Sequence, residues 1–73
     1  MENILCILDA KFNPICKLGF STHDLALKEL VKQMNYLERN LPMGEQRIIV
    51  WYEGETIVCS RLVERDWEMY GKE

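Results

Sequence analysis

The scarcities in this chain narrow it before its abundances do. Its 73 residues hold one histidine, three cysteines, two prolines and four glycines. A lone histidine, His23, can act as a general base only if a nucleophile or substrate lies within hydrogen-bond reach. Ser21 and Asp24 are merely its sequence neighbours, and helix geometry does not arrange them as a relay, so His23 reads as a solvated or capping side chain. Cys6, Cys16 and Cys59 are odd in number and lack the close spacing of a zinc knuckle or a redox motif. Inside apolar runs they read as small, reduced hydrophobes. Gly19, Gly44, Gly54 and Gly71 stand isolated, and none opens a helix as a phosphate-binding loop does. No apolar run approaches the ~18 residues of a membrane-spanning helix. Glu2 stands where a secretory leader carries positive charge, and the first apolar stretch stops at Asp9, so a cytoplasmic setting is expected.

Basic charge is also short. Nine basic residues face twelve acidic ones, a net charge of −3. Residues 1 to 40 balance at five of each sign, whereas residues 41 to 73 hold seven acids against four bases, and 4 − 7 = −3. A protein that grips nucleic acid electrostatically carries a basic excess or stripe, and this chain has neither. Carboxylates cluster at Glu53 and Glu55, and at Glu64, Asp66 and Glu68. The first pair flanks Gly54 at an expected hairpin tip, a convex place without the desolvating cleft that separates catalytic pKa values. The second group alternates with Arg61 and Arg65 as a solvated stretch does. Neither offers enough convergent ligands for a metal, so no catalytic residue, metal or cofactor is expected.

The chain is 48% hydrophobic and 29% charged, a globular composition rather than a disordered one. Residues 1–73 read as a single small domain without repeats or linkers. Residues 4 to 8, Ile-Leu-Cys-Ile-Leu, form a continuous apolar run too short for a helix and read as a strand buried on both faces. Turn formers occupy residues 9 to 14, and residues 15 to 20 alternate, with Cys16, Leu18 and Phe20 on one face. Ser21 or Thr22 then caps a helix running to about Asn40, where Leu41-Pro42 stops it. Its apolar stripe is Leu27, Leu30, Val31, Met34, Leu37 and Leu41, with Leu25 and Tyr36 opposite. Residues 47 to 52 and 55 to 62 read as a hairpin turning on Glu53-Gly54, and the residues from Val63 onward as a short terminal element. The expected fold is α+β, with a four-stranded, mainly antiparallel sheet in ββαββ order and one main helix on one face.

That architecture leaves more apolar sheet than one helix can cover. If the helix lies on the face of Ile48, Val50 and Ile57, then Ile49, Trp51 and Val58 point away from it. They become the expected partner-binding residues, with Trp67 and Tyr70 of the tail. The cover for that second face is either the tail folding back, a second copy of the chain, or another protein. The expected function is therefore a non-enzymatic protein-binding module, a regulator or inhibitor of a host or cellular protein. Size, element order and absence of chemistry are compatible with the small accessory proteins of phages and mobile elements. The alternative is a single-stranded nucleic-acid binder stacking bases on the Trp51 strand.

Overall fold

The computed structural model describes residues 2–65. It contains β1 (Asn3–Asp9), β2 (Pro14–Phe20), α1 (His23–Asn40), β3 (Gln46–Glu53) and β4 (Thr56–Glu64). The α+β class and the ββαββ order are those expected from the sequence. The strands form one antiparallel sheet ordered β2-β1-β3-β4, so two hairpins meet along β1 and β3. This position explains the composition of the two apolar strands. Ile-Leu-Cys-Ile-Leu and Ile-Ile-Val-Trp-Tyr are central, and the polar residues of β1 and β3 (Asn3, Asp9, Gln46, Arg47, Glu53) stand at the strand ends.

The β1–β2 turn is built on Asp9. Its backbone N–H donates to the Asn13 carbonyl at 2.9 Å and its carbonyl accepts from Phe12 N–H at 3.0 Å. Its carboxylate accepts the backbone N–H groups of Lys11 and Asn13, each at 2.9 Å, and the Asn13 amide at 3.3 Å. These donors, the Asn13 N–H foremost, hold the Asp9 carboxyl below the usual range. Closing the loop places Phe12 at φ 67°, a left-handed conformation that a glycine or asparagine adopts at far lower cost.

Thr22 caps α1, its hydroxyl accepting from Leu25 N–H at 3.2 Å. Leu41 N–H closes the last turn on the Leu37 carbonyl at 2.9 Å, and Pro42 follows. The helix buries Ala26 and Leu30, with Leu41 just beyond it, and Met34 and Leu37 pack against the same cluster. Two residues of the expected stripe, Leu27 and Val31, stay exposed at 44% and 50%. Ala26, fully buried, lets the first half of the helix lie close to the sheet, and this rolls the stripe by roughly 30° relative to one centred on the leucines.

The second hairpin differs from expectation in two ways. Its turn is Gly54-Glu55, with Glu53 opposite Thr56 and Gly54 at φ 63°. In addition, Tyr52 pairs with Ile57 but Trp51 with Cys59, so Val58 is an extra residue in a β-bulge. A matching irregularity lies on the other edge, where Leu8 pairs with Pro14 but Ile7 with Cys16, leaving Ile15 as the extra residue.

The face covered by the helix is the reverse of the one expected. Leu5, Ile7, Ile49, Trp51 and Val63 point at Ala26, Leu30 and Leu41 and form the core. Trp51 decides this arrangement. It is the largest side chain of β3, and Asn3, buried on the neighbouring strand, accepts its indole N–H at 3.1 Å. A tryptophan can be buried whole when its N–H has such a partner, and its area then goes beneath the helix.

Candidate protein-binding face

Of the residues expected to bind a partner, Ile49 and Trp51 are therefore core, 0% and 3% exposed. They serve the fold, and Trp51 offers no stacking platform for a base. His23 lies over the indole, with ring centroids 4.6 Å apart, and its Nδ1 stands 4.0 Å from a Glu53 carboxylate oxygen. Val58 is the bulge residue of β4, exposed at the sheet edge. Trp67 and Tyr70 lie outside the described residues.

Among the described residues no helix lies on the other face of the sheet. Because paired residues share a face, the register builds it rank by rank across the order β2-β1-β3-β4. Gly19, Ile4, Tyr52 and Ile57 make one rank. Lys17, Cys6, Val50 and Ser60 make the next. Pro14, Leu8, Ile48 and Leu62 make the third, with Gln46 and Glu64 beyond it. Across the three full ranks the one charged side chain is Lys17, on an edge strand. Glu2 and Glu64 stand at the margins, the latter accepting from the Gln46 amide at 3.2 Å. Cys6 and Val50, at the centre, are screened by their neighbours and do not belong to the core cluster under the helix. Ile4, Leu8, Ile48 and Tyr52 are half-buried, while Ile57 and Leu62 are 58% and 60% exposed.

A second apolar face is legible in the sequence, but Ile49 and Trp51, expected on it, lie under the helix instead. The sequence does hold one signal for the right ones: Ile48, Val50 and Tyr52 alternate with Ile49 and Trp51, so burying Trp51 exposes the others. Bulges at Val58 and Ile15 have no comparable mark, since Ile-Val-Cys and Pro-Ile-Cys contain no glycine.

Elsewhere the surface is sparse in chemistry. A shallow depression lined by Glu2, Gly19, Phe20 and Ser21 brings one carboxylate near one hydroxyl. Among the described residues no three of His, Cys, Asp and Glu converge as a metal site, and no helix is long and apolar enough to cross a membrane. Cys6, Cys16 and Cys59 are all free thiols. Comparison with known proteins found no matching family model, no matching curated protein and no matching solved structure.

Proposed function

We propose that this chain is a non-enzymatic protein-binding module, a regulator or inhibitor acting in the cytoplasm, and that the helix-free sheet face is its contact surface. The observation carrying the reading is the composition of that face: eight apolar side chains across two central strands and one edge, with charge only at the rim. A contiguous apolar patch of a few hundred Å² or more is the usual mark of an interaction site. An apolar centre inside a polar rim is the anatomy of such interfaces. Three free thiols support a reducing compartment.

The nucleic-acid alternative keeps little support once Trp51 lies under the helix, for among the described residues Tyr52 and Lys17 are then the open face's only aromatic and only cationic groups. The test compares the full chain with Ile57→Glu and Leu62→Glu as immobilised bait in cell lysate, alongside a salt titration with single-stranded oligonucleotides. The expected result is a protein retained by the parent and lost from both variants, with no salt-dependent oligonucleotide binding. Equal retention by all three would remove the face from the function.

A further inference from the structure

We infer that the occupant of the open sheet face is a second copy of this chain, two sheets stacking face to face as the middle layers of an α/β/β/α dimer. This rests on the reading above that the open face is a contact surface, and it names the partner. The first argument is area. Four strands about 4.8 Å apart and three ranks about 6.8 Å apart give a footprint of roughly 20 by 20 Å, or ~400 Å² per copy in projection. Counting both copies gives ~800 Å² before surface corrugation is included, short of the ~1,000 Å² of a stable interface and in the range of weak, reversible contacts. A dissociation constant on the order of 1–100 µM is the matching expectation.

The second argument is charge. The whole chain carries −3, so two copies repel over most of their surfaces. On this face the repulsion is weakest, because among the described residues Glu2, Lys17 and Glu64 are its only charges and all lie at the margin. A near-neutral apolar sheet stacks on its own kind without burying an ion.

The third argument is shape. Sheets about 10 Å apart interdigitate the side chains of their inner faces. Here Ile4, Leu8, Ile48, Tyr52, Ile57 and Leu62 stand in two ranks on either side of the smaller Cys6, Val50 and Ser60. These projecting side chains keep accessible surface that a second sheet would remove from water, whereas the helix has no reach to this side.

The experiment is sedimentation velocity of the full chain from about 1 to about 500 µM, paired with uptake of an environment-sensitive apolar dye. The expected result is a concentration-dependent monomer–dimer equilibrium. Ile57→Glu and Leu62→Glu should each shift it at least tenfold toward monomer, because a two-fold contact meets every substitution twice. Tyr36→Glu, on the outer side of the helix and 59% exposed, should leave it unchanged. Circular dichroism melts of all three show whether they remain folded. A folded Leu62→Glu that dimerises like the parent would overturn the inference, as would a parent that stays monomeric at the highest concentration. In a monomeric parent, dye uptake abolished by Leu62→Glu would overturn only the second copy and leave the face open to another protein. Absence of uptake until Trp67→Ala is introduced would show that the chain's own tail is the cover, and the contact-surface reading would fail with it.

Discussion

Three residues show how much can depend on one side chain. Asn3 is 3% exposed and supplies the acceptor for the Trp51 indole N–H. Asn3→Ala leaves that buried donor unpaired and should cost about 1–3 kcal/mol, measured by urea unfolding. Phe12 is the opposite case: it is 70% exposed and holds a left-handed backbone. Replacing it with Asn should raise stability by ~0.5–1 kcal/mol in the same assay, because Asn tolerates that region better. Asp9 ties the first turn together through its carboxylate, and its pKa is lowered in the fold, first by the Asn13 backbone N–H. A carboxyl whose folded pKa lies below its unfolded value contributes stability above the unfolded pKa and loses it as pH falls through the folded one. The destabilisation caused by Asp9→Ala should therefore be full near pH 6 and shrink below about pH 4, where the parent loses the same bonds. Melts of both proteins across that interval check the sign. A gap that widened toward acid would contradict it.

Among the elements, α1 is the one whose packing fixes the rest. Leu30 is 5% exposed at its centre, within the cluster formed by Leu5, Ile49 and Trp51. Leu30→Ala should cost roughly 2–4 kcal/mol. Against a total of about 5 kcal/mol for so small a chain, the variant should be largely unfolded near body temperature by circular dichroism. The existence and order of every described element were legible in the sequence, because hydrophobic period, capping residues and turn formers agree locally. Helix roll was not, since an alanine among leucines carries little weight in a periodicity count yet sets how closely the backbone approaches the sheet. Nor was the choice of face. Both sides of β3 are apolar, so alternation alone left the decision to a hydrogen bond between Asn3 and Trp51, residues 48 positions apart. Hence the candidate site was legible as a surplus of apolar surface, while its membership depended on a long-range contact.

At the scale of the whole sheet, the described residues cover one face with the helix and place nothing on the other. Leu62→Glu should change the melting free energy of the monomer by no more than about 0.5 kcal/mol, because a 60% exposed side chain contributes little to the fold. Measured below the dissociation constant of the proposed dimer, the result separates surface from core directly. The two bulges acquire a further meaning at this scale. Each edge strand carries one, at Ile15 and at Val58, and Pro14 beside the first has no N–H to donate to an added strand. A bulge also lets neighbouring odd-numbered residues serve opposite faces: Ile57 points outward while Cys59 lies on the core side. Deleting Val58 would leave those assignments intact yet straighten the edge into a flat ladder with free N–H and C=O groups. Such an edge pairs with the same edge of another copy, and together with the proposed face contact it gives each copy two contacts, enough for a growing chain. In the proposed dimer the apolar surface lies on a face that two copies exhaust, away from borders where a chain of copies could grow. A Val58 deletion should fold and then, unlike the parent, polymerise on standing.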